Sequence, residues 1–180
     1  MNTDTAQLMT VAMDVQGQKV AHPWIKKADA TYPALIDQSN KLGKKFNFNY
    51  VPLIILFNEQ GELVHGPSGF DIQKESNAED LRAWLNNNKG FENSSDNNNE
   101  QDVEITESYL RFQYSRYLIA DGKKERALSQ LRQALALDQD NWLIRKQIWA
   151  IEHPEKFYNG NVDFDWQREQ LEREKSENGH

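Results

Sequence analysis

The sequence predicts an α/β unit followed by a small all-α unit, and three features carry that reading. The first is FNFNYVPLIILFNEQGELV at 46–64, where an apolar run at 53–57 meets the turn signal Asn58-Glu59-Gln60-Gly61 and a second short run at 62–64. Such a pattern is a buried strand, a tight turn with Gly where positive φ is needed, and a returning strand. The second is NNNKGFENSSDNNNEQD at 86–102, which has almost nothing to bury and reads as a mobile linker. The third is a change of apolar period to 3.6 from Glu104 onward. Together they place an α/β domain at 1–88, an Asn- and acid-rich linker at 89–103 and a helical domain at 104–180.

In chain order, LMTVAMD at 8–14 is an apolar strand ending in an acid, and VQGQK at 15–19 is a polar turn around Gly17. A helix is expected from about His22-Pro23, with Pro at the first helical position, where its missing N–H is harmless. Trp24, Ile25 and Ala28 would share one face of it. ATYPALID at 30–37 supplies a short strand or extended segment, and 39–46 a short helix. Pro52 stands just ahead of the strand at 53–57, where it breaks no ladder bond. Gly66-Pro67-Ser68-Gly69 reads as a loop. Ser76 or Asn77 then caps a helix through Asn86 with the stripe Ala78, Leu81, Trp84 and Leu85.

In the second unit, Leu110, Tyr114, Tyr117 and Leu118 mark one helix, ended by Asp121-Gly122. Ala127, Leu128, Leu131, Ala134 and Leu135 mark the next. A third covers 142–151, ahead of the break at His153-Pro154. Phe157, Tyr158, Phe164 and Trp166 are expected to fold back onto the helical pair, before a charged last helix from about Asp165.

Composition excludes several functions. With 28 acidic residues against 21 basic ones the chain carries −7, which argues against a phosphate-binding surface and a nucleic-acid partner. Lys26-Lys27 and Lys44-Lys45 read as solvated helix faces. The absence of cysteine removes disulfides, thiol nucleophiles and thiolate metal sites. His22, His65, His153 and His180 have no metal-ligand spacing, and neither a Gly-rich phosphate loop nor a Ser nucleophile elbow occurs, so no metal or cofactor is expected. No apolar run approaches the ~20 residues that span a bilayer. MNTDTAQ lacks the parts of a signal peptide, so the chain reads as cytoplasmic by default, and as extracytoplasmic if a preceding segment carries a signal.

The order of the segments at 8–14, 30–37 and 40–46, followed by Val51-Pro52 and its hairpin, resembles the second half of a thioredoxin fold. The resemblance covers roughly residues 5–90 and is nearest the extracytoplasmic thiol–disulfide reductases of the TlpA/ResA type and their peroxiredoxin-like relatives. It implies thiol–disulfide exchange, in which a thiolate attacks a disulfide, and a cis-proline loop at Val51-Pro52 beside the redox dithiol. It also implies a central strand, between those at 8–13 and 53–57, leading to a Cys-x-x-Cys at the head of a helix. This sequence holds no cysteine and no segment for that strand.

The expected fold is therefore α/β: an incomplete thioredoxin-like fold, inactive in exchange as written, followed by a small all-α domain. Its two orphaned strands would close up, take a strand from another chain, or be completed by an N-terminal portion. The last is the favoured expectation, through a missed upstream start or a selenocysteine codon read as a stop. In the second unit, Gly122, Ala127, Leu131 and Ala134 with ALALDQDN resemble one tetratricopeptide unit, with Ser115 at a small-residue position and Gln139 in place of the usual proline. WAIEHPEKFY resembles the helical appendage behind some bacterial ResA-like proteins.

The candidate site residues follow from this. Val51 and Pro52 would form a substrate-facing loop that exposes backbone to an extended peptide, or Pro52 simply opens a strand in trans. Asp14 and Asp37 would flank the redox centre as proton-handling acids, or be solvated strand ends. Trp142, Arg145, Trp149 and Trp166 would line a groove for a protein or peptide partner, or form helical core. Arg145 and Lys146 allow an acidic partner without requiring one. The reading that competes with redox membership is a non-enzymatic peptide-binding module using the same loop and the helical domain.

Overall fold

The computed structural model of the protein describes residues 6–87 and 105–177; the expected linker lies outside the described residues. The chain begins with β1 (Thr10–Ala12), which pairs in parallel with β2 (Ala34–Ile36) in the register Thr10↔Ala34 and Ala12↔Ile36. Parallel neighbours need a crossover, and α1 (Gln18–Lys27) supplies it. This helix starts earlier than the expected His22-Pro23. The turn that wins is at Asp14 to Gly17: Gly17 N–H donates to the Asp14 carbonyl, and the Val20 and Ala21 amides both donate to that of Gly17. Pro23 therefore sits inside α1, where it removes one ladder donor. Ala21, not Ala28, is the buried residue of the helix.

α2 (Lys41–Lys45) leads to the hairpin β3 (Leu53–Phe57) and β4 (Leu63–Gly69), with Gly61 at φ 78 in its turn. The expected loop at Gly66 to Gly69 is part of β4. From Ile54 to Leu56 the partner moves from Ser68 to His65, so β4 carries an extra residue there. The bulge accommodates Pro67, which has no ladder N–H to give. Gly66, at φ 91, lies so close to the Ile54 carbonyl that a Cβ would collide with it. α3 (Glu75–Asn87) follows; it buries Ala78 but leaves Leu85 exposed.

The helical half comprises α4 (Glu107–Ala120), α5 (Lys124–Leu137), α6 (Trp142–Glu152), α7 (Pro154–Tyr158) and α8 (Phe164–Glu177). Thr106 and Asn141 cap α4 and α6 through their side-chain oxygens, which accept from the Tyr109 and Ile144 amides. On α4 the buried face is Ser108, Phe112, Ser115 and Leu118, whereas Leu110, Tyr114 and Tyr117 of the expected stripe are exposed. Apolar residues occur at helical spacing on both sides of α4, and α5 packs on the side with the small serines. Ser108 and Ser115 admit that close approach and satisfy their hydroxyls on backbone carbonyls of Ala134 and Phe112.

One core joins Phe112, Leu128, Leu131, Ala134, Ile144, Ile148 and Ile151, and it takes in Val15 from the turn after β1. A second gathers Trp149, Ala150 and Phe157, with Trp142, Tyr158 and Trp166 against them. The tail aromatics thus fold onto α6, while Phe164 points to solvent.

Among the described residues the strands form two separate two-stranded sheets, β1–β2 and β3–β4. β1 and β3 do not close up on one another. The helical half instead grips the loops beside them. The Gln147 side chain accepts from Val15 N–H (2.9 Å) and donates to the Met13 carbonyl, as a neighbouring strand would. The Leu143 amide, an otherwise orphaned donor in the first turn of α6, bonds the Asn49 carbonyl at 3.0 Å.

Candidate peptide-engaging site

Val51-Pro52 is a cis peptide bond, as is Gly66-Pro67. Val51 is half-buried and Pro52 exposed, and the Pro52 carbonyl accepts from Phe70 N–H at 3.3 Å, tying the loop to the end of β4. The loop opens directly into β3, whose edge away from β4 carries no partner strand among the described residues.

Beside it lies a groove of ≈ 500 Å³ between the two halves, within the range of ligand clefts. Trp142 and Lys146 from α6 face Phe164, Gln167, Arg168 and Leu171 from α8, and Tyr50 and Val51 complete the lining. Trp142 and Lys146 stand four apart and Phe164 and Arg168 likewise, so each pair shares one face of its helix. Lys146 extends over the Trp142 ring at 5.8 Å from its centre. Burial lowers the pKa of its ammonium below the ordinary lysine value.

The two acids expected to flank a redox centre are not in the groove lining; they share one small cleft with Met13, Val15, Asn40 and Gln147, and both are engaged. Asp37 caps the entry to α2: its carboxylate accepts from the amides of Ser39 (3.2 Å) and Leu42 (2.7 Å). Asp14 accepts from Gln16 N–H and from the Tyr158 hydroxyl, both at 2.8 Å, and Gln16 in turn donates to the Tyr158 oxygen. Burial pushes the Asp14 carboxyl above its ordinary value, against the two bonds that pull it down. Burial, then the Asp14 charge, hold the Tyr158 phenol well above its usual range. The cluster interlocks the two halves.

The four residues expected to meet a partner separate into distinct roles. Trp149 is 1% exposed and donates its indole N–H to Glu174 at 2.6 Å, so it is core and presents no surface. Arg145 pairs with Glu174 and donates to the Gln139 carbonyl. Trp166 stacks edge-on against Trp149 and Phe157. Trp142 alone of the four lines the groove. Gln147, Tyr158 and Gln167 were not legible as site or junction residues. Their partners are either more than a hundred positions away or a groove that exists only once the halves pack.

Among the described residues no group of three or more His, Asp or Glu side chains could hold a metal ion, and no helix is long and apolar enough to cross a membrane. The chain is similar to the sporulation thiol-disulfide oxidoreductase A of Bacillus subtilis (strain 168), at 30% identity over 84 residues, 46% of this chain and 48% of that protein. It spans about half the length of the curated relative it matches. No family model and no solved structure matches. The likeness supports a thioredoxin-like relationship, and the small sheets with their helices fit a partial thioredoxin-like fold.

Proposed function

We propose that this chain is the peptide-engaging scaffold of a thioredoxin-like redox protein. In this reading the Val51-Pro52 loop presents backbone to an extended peptide, and the α4–α5 hairpin is one tetratricopeptide-like unit that anchors the scaffold. The observation that supports it is the edge of β3 away from β4, unpaired among the described residues, which the loop feeds directly. Extended peptides bind such edges through main-chain hydrogen bonds. The similarity to a thiol-disulfide oxidoreductase supplies the redox context.

Exchange needs a thiolate or selenolate. The sequence has no cysteine, so any such group that acts with this scaffold comes from outside these 180 residues. That absence also favours a second reading, a binding module with no redox partner. Coding sequence upstream of Met1 separates the two: an in-frame strand leading to Cys-x-x-Cys, or a selenocysteine equivalent, supports the first.

The scaffold reading is tested on the full chain in two assays. It gives no disulfide reduction above background with insulin and a dithiol. Titration of the ¹⁵N-labelled protein with an extended peptide shifts the amides of Tyr50, Val51 and Leu53 to Ile55. Turnover by the cysteine-free chain, or peptide binding that leaves those amides unmoved, contradicts it.

A further inference from the structure

The groove at the junction of α6, α8 and the Tyr50-Val51 segment is lined by two cationic side chains, one of them without an ion-pair partner among the described residues. Among the described residues its lining contains Lys146 and Arg168 and no carboxylate, in a chain whose net charge is −7. Arg168 is paired with Asp165 on its own helix, in an exposed ion pair. Lys146 forms no ion pair among the described residues, and its ammonium lies over the Trp142 ring. In the lining of the groove Gln167 is 6% exposed, and its Nε2 donor has no acceptor among the described residues. A half-buried cation and a buried amide donor without acceptors are each costly left alone. Around them the exposed rings of Phe164 (65%) and Tyr50 (41%), together with Trp142, form apolar walls.

We propose that this groove binds an acidic segment of a peptide, one Glu or Asp side chain flanked by a large apolar residue. The carboxylate is taken by Lys146, with the unpartnered Gln167 amide beside it in the lining, while the apolar neighbour lies between Trp142 and Phe164. A peptide, rather than a free carboxylic acid, is the occupant because the groove runs into Val51. A chain leaving it is delivered to the open edge of β3. The inference rests on the peptide-engaging reading of the Val51-Pro52 loop and names the class of peptide that loop receives.

The test uses the full chain and three probes: an acetylated, amidated pentapeptide with a Glu-Phe core, its Gln-Phe isostere, and free glutarate. Binding is followed by indole fluorescence and by amide shifts. The Glu peptide binds about tenfold more tightly than the Gln isostere, and glutarate binds at least tenfold more weakly than the Glu peptide. Lys146→Met keeps the apolar stem and removes the charge; it abolishes the preference for Glu while leaving the affinity for the Gln peptide unchanged. Equal binding of the two peptides, a preference that survives Lys146→Met, or glutarate binding as tightly as the Glu peptide overturns the proposal. If the two peptides bind equally but still shift the Tyr50 and Val51 amides, the acidic preference fails and the scaffold reading stands. If neither peptide binds, both fail.

Discussion

The two halves of this molecule are built to different standards. Of the buried apolar residues, five lie in 6–87 (Val15, Ala21, Phe48, Leu56 and Ala78) and thirteen in 105–177. Even Val15 is buried by helices of the other half. In the α/β half, Leu35 at the centre of β2 is 51% exposed, and Leu8, Met9 and Phe57 are similarly bare. The helical half brings Ala127, Leu131 and Ala134 to zero exposure. An element that buries little apolar surface opens at low free energy. The helical half is thus the better-buried anchor, and the α/β half is an open-edged surface held against it.

The largest expected effect that tests this contrast is Trp149→Ala. It removes a fully buried indole from the second core and should cost about 3–5 kcal/mol. Urea denaturation followed in both halves should show the α/β half melting with the anchor. Survival of β-structure after helix loss would break the comparison.

Next is the interlock. Tyr158→Phe removes a hydrogen bond to a half-buried carboxylate and should cost about 1.5–3 kcal/mol at neutral pH. The cost should shrink in acid, where Asp14 is protonated and the bond is to a neutral group. The Asp14 carboxyl titrates above its ordinary 3.8 in the folded chain. From about pH 4 up to that raised value the folded state holds the proton more tightly than the unfolded one, so stability falls as pH rises through the window. Asp14→Asn should flatten that fall. Tyr158, also raised, adds a second decline above about pH 10 that Tyr158→Phe should abolish. Stability against pH for the three proteins checks both signs.

Gln147→Ala should cost about 1–3 kcal/mol, because it strands the buried Val15 amide without an acceptor. Its effect should appear first as faster amide exchange at Val15 and in β1. At the bottom of the scale, Arg82→Ala breaks an ion pair whose side chains are 53% and 75% exposed and should change stability by about 0–1 kcal/mol.

Local signals in the sequence reached as far as local physics did. The hairpin of β3 and β4, the positive φ of Gly61, the α5 stripe and the break at His153-Pro154 were legible because each depends on neighbouring residues. The start of α1 was misplaced because the Asp14 to Gly17 turn outweighed the proline signal. The strand through Gly66-Pro67 was hidden by a bulge that only pairing reveals. The outward face of α4 could not be told from its inner one, since apolar residues recur on both. The place of Val51-Pro52 just ahead of β3 was legible, and the junction contacts of Tyr158 and Gln147 and the groove position of Gln167 were not. Those three residues act through partners that folding alone brings near.

Native-state hydrogen exchange on the full chain tests the central claim most directly. Amides of Leu131 and Ile148 should exchange only through global unfolding. Those of Val11 in β1 and of Ile54 and Leu56 in β3 should exchange through openings of clearly lower free energy and gain protection when an extended peptide is bound. Strand amides as protected as the helical core in the free protein would contradict the account of an open-edged surface carried on a helical anchor.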